Sequence, residues 1–126
     1  MAEAFARHYG SDCVIAASAG VDPAPMVARD TMRAMAEKGI DLTDHFPKSL
    51  QYLARAEFDL VINMTGSFLL EEFAGARMQD WDVDDPIGME YSDHCLIRDE
   101  IERRVIALIV ELRRIPKSMA RGLGAR

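Results

Sequence analysis

Four aspartates crowd one short stretch, DWDVDDPIG: Asp80, Asp82, Asp84 and Asp85, beside Trp81 and Pro86. A carboxylic acid held on a loop can protonate a leaving group, and neighbouring negative charge raises its pKa toward that task. Pro86 helps to fix the loop, because it biases Asp85 toward an extended backbone. The plainer alternative is an Asx-type turn with solvated carboxylates, and the residues alone favour it. A Ca²⁺ loop is excluded, because the spacing and the glycine of an EF-hand are both wrong.

The other reactive side chains are scattered. Cys13 sits in an apolar run and reads as a small buried hydrophobe. Cys95 follows His94 at the start of the last helix, where a helix N-terminus can lower a thiol pKa. Adjacent residues do not face each other on a helix, so this Cys–His pair is not a catalytic couple. His8 and His45 have no partner pattern and default to structural roles. Ser18 and Thr65 are polar residues at strand ends, suited either to turns or to lining a site. The sequence holds no glycine-rich phosphate loop, metal-ligand cluster or nucleophile elbow.

The elements that must position these residues can be read from apolar spacing. In MAEAFARHYG, Ala2, Ala4, Phe5 and His8 fall at helical spacing, with Glu3 and Arg7 one turn apart on the other face. Gly10 is a natural stop. CVIAASAG (13–20) reads as a buried strand. Pro25 suits the first turn of the next helix, in which Ala28, Met32, Met35 and Ala36 form one face and Gly39 ends the run. A weaker helix covers 50–56. FDLVINM (58–64) is the clearest strand, FLLEEFA (68–74) a short helix, and RMQDWDV (77–83) a further, short strand. The last helix carries Ile97, Ile101, Val105, Leu108 and Leu112 on one stripe, widened by Ile109. Arg98, Glu102 and Arg113 lie outside that stripe, and Pro116 ends the helix. Strands alternating with helices predict an α/β sandwich with a parallel sheet, whose ligands bind at the C-terminal strand ends. That rule gathers SAG, NMTGS and DVDDP at one rim.

Composition sets outer limits. At 126 residues one domain is expected, and 49% hydrophobic residues suffice for a core. A formal net charge of -6 argues against a general nucleic-acid binder. No apolar run is long enough to span a bilayer, and no secretory signal is visible. Two cysteines make neither a disulfide framework nor a metal site. A cytoplasmic protein with no membrane partner is the plain expectation.

In order and spacing, MAEAFAR, SAG, MAEKGIDL, FDLVINM, DWDVDDPIG and IRDEIERRV resemble the low-molecular-weight protein tyrosine phosphatases, in particular their arsenate-reductase-like branch. The resemblance runs from Met1 to about Leu112. It implies a three-layer α/β sandwich with a small parallel sheet, of the phosphotyrosine protein phosphatase I-like type, spanning residues 1–115. A basic mobile tail (116–126) follows. It further implies that the family's first central strand and its Cys-to-Arg anion loop are missing, and that the chain starts just after that loop. A buried unsatisfied backbone group costs about 1–3 kcal/mol, against a whole-domain stability of about 5–15 kcal/mol. A lost central strand could thus consume all of that margin, unless a second copy fills the slot in a strand-exchanged homodimer.

The resemblance also assigns roles. Asp85, of the Asp-Pro turn, matches the general acid that protonates the leaving oxygen, with Asp84 next in line. Ser18 matches a serine that braces the anion loop. Neither Cys13 nor Cys95 matches the nucleophile. Thioredoxin-coupled reductases use two further cysteines after the third strand. Thr65 stands where the first would be, and GSFLLEEFAG contains no second. The implied activity is therefore hydrolysis of a phosphate monoester or reduction of arsenate coupled to a small thiol. Neither metal nor cofactor is called for, and the chain as given is expected to be inactive. A non-catalytic binding or scaffold relative is the alternative.

Overall fold

The computed structural model describes residues 1–20, 26–49, 53, 57–66 and 76–114. The first element, α1 (Ala2–Gly10), is a nine-residue helix. Its N-terminal half is buried: Ala2, Glu3, Ala4, Phe5 and Ala6 are all nearly or fully removed from solvent. Glu3 therefore does not lie on an outer polar face, although its ion pair with Arg7 forms at 2.9 Å. His8 is exposed rather than part of the apolar face, with its ring edge-on to Tyr9 at 4.8 Å. Gly10 does more than stop the helix. A Cβ there would lie 2.1 Å from Ile109 Cδ1, so the missing side chain is what lets the last helix approach.

The stretch expected as a strand over 13–20 is not one. Residues 11–13 turn off the end of α1, with the Cys13 and Val14 amides donating to the Gly10 carbonyl. The chain then runs on without a ladder until Gly20, which bridges Ser49 in parallel. Its apolar composition suggested burial on both faces, yet Ala16 is buried while Ile15 is 78% exposed. Side chains hold it instead: Arg7 Nη2 donates to the Ala16 carbonyl at 3.1 Å.

Helix α2 (Arg29–Ala36) buries Ala34 and Met35, not Ala36, because its inner face turns toward the last helix. Gly39 adopts φ +73°, and the Ile40 amide reaches back to the Met35 carbonyl at 3.0 Å, closing the C-terminus. Strand β1 (Leu60–Asn63) is buried at all four residues, as its unbroken apolar run requires. It pairs in parallel with β2 (Arg77–Asp80), in the register Leu60↔Arg77 to Asn63↔Asp80. The strand expected over 77–83 thus ends before Trp81. The helices expected over 50–56 and 68–74, Pro25, Pro116 and the tail lie outside the described residues.

Helix α3 (Tyr91–Leu112) is the long scaffold against which α1 and α2 pack. Its buried stripe is His94, Arg98, Ile101, Val105 and Ile109. Ile101, Val105 and Ile109 lie on the expected stripe, but His94 and Arg98 are buried with them, while Ile97, Leu108 and Leu112 are only half-buried. That arginine is buried because its hydrogen-bonding groups are answered: by the Ala34 carbonyl at 3.0 Å, Glu37 at 2.8 Å and Asp99 at 2.9 Å. The main core joins Phe5, Ala16, Met35, Leu42, Val105 and Ile109. Val61 packs in a second cluster with Phe58, Ala76 and Met78. The result is the expected α/β arrangement of helices on a small parallel sheet.

Candidate functional site

Both strands run in the same direction, so their C-terminal ends, Asn63 and Asp80, share one edge. The Trp81 amide donates to the Asn63 carbonyl at 2.9 Å and carries the pairing one residue past the strand. Trp81 and Val83 then pack against the main core, while Asp82 and Asp84 alternate outward. The aspartate-rich loop is thus pinned at its base. An apolar cavity lined by Ala2, Ala6, Ala16, Leu60, Trp81 and Val105 brings α1, the extended segment, β1 and the loop base together.

At the tip, Asp85 Oδ1 accepts the Ile87 amide at 3.0 Å, and the Met89 amide donates to the Pro86 carbonyl at 3.0 Å. Gly88 completes the turn at φ +82°. This is the Asx turn that the plainer reading expected, and it holds Asp85 in a fixed, exposed position. Asp84 is exposed too. At the end of β1, the Thr65 amide and hydroxyl both donate to Asn63 Oδ1, at 3.0 and 2.6 Å. Thr65 is thus a turn residue at the rim.

Ser18 is brought to the first turn of α1. Its hydroxyl donates to Glu3 Oε1 at 2.5 Å. The same carboxylate meets Arg7 Nη2 at 2.9 Å on Oε2, His45 Nδ1 at 3.8 Å and Lys48 Nζ at 3.8 Å. Sequence reasoning left Glu3 and Lys48 out of the candidate site and gave His45 only a structural role. One signal was available: Glu3 is flanked by Ala2, Ala4 and Ala6, and a helix turn made of small apolar residues is a buried turn. A carboxylate inside it must be paired.

The two thiols lie elsewhere. Cys13 follows the C-terminal end of α1, opposite the turn that holds Glu3. Cys95 is the fifth residue of α3, a full turn inside the helix rather than in its first turn. Its Sγ lies 3.6 Å from both Glu37 Oε2 and Arg98 Nη1. His94 points away from it to Thr31, at 3.1 Å.

This second polar cluster ties α2 to α3. Tyr91 stacks under Arg33, 3.8 Å from the ring centre. Its buried hydroxyl closes no hydrogen bond of ordinary geometry. Burial, with Glu37 and Cys95 nearby, pushes Tyr91 up to about 12. The Tyr91 hydroxyl and the Arg98 guanidinium hold Glu37 below the usual carboxylate range. The Arg98 guanidinium does the same for Asp99. For Glu102, burial works against ionisation, but the Tyr9 hydroxyl and Lys38 outweigh it. The distances are 2.7 Å from Tyr9 and 3.0 Å from Lys38.

Comparisons with known proteins identify the family. The sequence matches the family described as "Low molecular weight phosphotyrosine protein phosphatase" over residues 1–118. A relative from Halobacterium salinarum is 33% identical over 79% of this chain and 70% of its own length. "Arsenate reductase 1" of Bacillus cereus is 32% identical over 83% of this chain and 80% of that protein. "Glutaredoxin arsenate reductase" of Synechocystis is 25% identical over 89% of this chain and 87% of that protein. Among solved structures, an arsenate reductase in the phosphate binding state superposes with a TM-score of 0.79 at 25% identity. It covers 88% of this chain and 86% of that one. The expectation that the family's first strand and anion loop are lacking is not borne out, since the family description is matched from residue 1 onward. No helix among the described residues is long and apolar enough to cross a membrane. The chain belongs to the low molecular weight phosphotyrosine protein phosphatase family.

Proposed function

We propose that this chain handles a tetrahedral oxyanion, arsenate or phosphate, at the rim between the first turn of α1, Ser18 and the 81–90 loop. The arsenate-reductase branch is the nearer model. The observation that carries this is the run of arsenate-reductase relatives matching over most of their own length, together with the fold's superposition on one that binds phosphate. The physical basis is general. No side chain caps α1, and the first-turn amides of a helix point outward along its axis. Such amides, with the helix dipole, favour an anion.

In this reading Asp85 is the acid. The Ile87 amide holds its exposed carboxyl in a turn, which supports the role of proton donor to a leaving oxygen, and Asp84, on the same loop, is second. Ser18 braces the rim through Glu3. No covalent step falls to Cys13 or Cys95, because one sits beyond the far end of α1 and the other is engaged by Glu37 and Arg98. The placement of the two thiols favours a second, alternative reading: a non-catalytic relative that binds its oxyanion without turning it over. The absence of paired cysteines in GSFLLEEFAG fits a branch coupled to a small thiol or glutaredoxin rather than one with an internal disulfide relay.

Calorimetric titration with arsenate and with phosphate tests the first statement. Both are expected to bind and to compete for one site. The second is tested by aryl phosphate hydrolysis and by arsenate reduction with glutathione and glutaredoxin. No turnover above buffer is expected, in the native sequence or in Cys13→Ser and Cys95→Ser. Turnover abolished by either substitution contradicts the second statement, and absence of oxyanion binding contradicts the first.

A further inference from the structure

We infer that Glu3 is a positioning residue for oxyanion binding, acting through Ser18 and the loop that carries His45 and Lys48. The inference rests on the oxyanion reading above and assigns the residue that holds the rim together.

Glu3 is 4% exposed, and a buried carboxylate survives only if its charge and lone pairs are met. Here both oxygens are. Oε1 takes the Ser18 hydroxyl at 2.5 Å and faces Lys48 Nζ at 3.8 Å. Oε2 takes Arg7 at 2.9 Å and faces His45 Nδ1 at 3.8 Å. Three segments distant in sequence therefore converge on one side chain: the first turn of α1, the end of the 13–20 segment, and the 45–48 loop.

That convergence bears directly on the 13–20 segment. Among the described residues its only ladder contact is Gly20 with Ser49, where the Gly20 amide donates to the Lys48 carbonyl at 2.7 Å. Lys48 thus touches the segment through its backbone and Glu3 through its ammonium. Arg7 closes the other side, since the nitrogen that pairs with Glu3 also donates to the Ala16 carbonyl. Removing the charge of Glu3 loosens both ends of this clamp at once. It also leaves Lys48, whose side chain is 14% exposed, without its carboxylate. The hydroxyl of Ser18, which spends its one proton on Glu3, is then released to rotate, and the end of the 13–20 segment loses the contact that fixes it at the rim.

The test is a double-mutant cycle on the full chain: Glu3→Gln, Ser18→Ala and both together. Gln keeps the shape and an acceptor oxygen but drops the charge. Two readouts are taken, phosphate affinity and amide hydrogen exchange at Gly20. Glu3→Gln is expected to weaken phosphate binding about tenfold, the scale of one charge-assisted hydrogen bond. It should also speed exchange at Gly20. If Glu3 acts through Ser18, the double variant loses no more affinity than Glu3→Gln alone. Should Glu3→Gln fail to fold, Ser18→Ala against Arg7→Met carries the same test. Ser18→Ala must lower phosphate affinity without moving the denaturation midpoint, which a purely structural contact would not do. Unchanged affinity in the variants, with the native chain binding phosphate, overturns this inference alone. A native chain that binds no phosphate overturns the oxyanion reading, and this inference with it.

Discussion

Gly10 and Ile109 meet where α1 crosses α3. A Cβ at position 10 would sit 2.1 Å from Ile109 Cδ1 and 3.3 Å from Val14 Cγ2, so something must move. Gly10→Ala is expected to destabilise the fold by about 1–3 kcal/mol, the range for overpacking. Ile109→Val deletes the clashing Cδ1, so in the double variant the two losses should not add. Chemical denaturation of the four chains checks this, and strictly additive losses would contradict it. A second test at this scale concerns Tyr91, whose burial raises it to about 12. The unfolded tyrosine ionises near 10, so this group's contribution is whole below about pH 10 and is lost as pH rises toward about 12. Tyr91→Phe should remove that alkaline limb and return Glu37 toward the ordinary carboxylate range, since the Tyr91 hydroxyl is one of the groups that hold it down. Equal alkaline sensitivity in both chains would rule the assignment out.

Elements here are joined by ion pairs as much as by apolar faces. Arg98 links α3 to the C-terminal end of α2 through Ala34 and Glu37, and Lys38 links the same end to Asp99 and Glu102. Glu37, Asp99 and Glu102 are all held below their ordinary range. For a carboxylate with a depressed folded pKa, the stability is present above the unfolded value and lost as pH falls through the folded one. Thermal stability should thus stay level above about pH 5 and fall progressively below about pH 4. Glu102→Gln is expected to soften that acid limb, and a limb unmoved by it would remove Glu102 from the account. The element least legible in the sequence was 13–20. Its composition matched a buried strand, but strand identity needs a partner ladder, and composition says nothing of one. Arg98 was placed outside the stripe for a similar reason. Pattern reading treats charge as exposed, whereas Glu37, Asp99 and Ala34 O supply the partners that make burial tolerable.

At the scale of the molecule, the parallel pair β1–β2, the long α3 and the terminal α1 were all legible, because unbroken apolar runs and helical spacing survive tertiary packing. The rim was legible in part. The Asp-Pro turn and Ser18 stand out by residue type, but Glu3 gains its importance only from four side chains that approach it from 15 to 45 positions away or from the next turn. The central claim is that an oxyanion binds at this rim. The most direct measurement is a phosphate titration followed by ¹⁵N amide shifts across the full chain. Shifts concentrated at Ala2 to Ala4, Ser18 and the 81–90 loop are predicted. Shifts confined to the basic residues of 116–126, or spread evenly with no saturation, would contradict it.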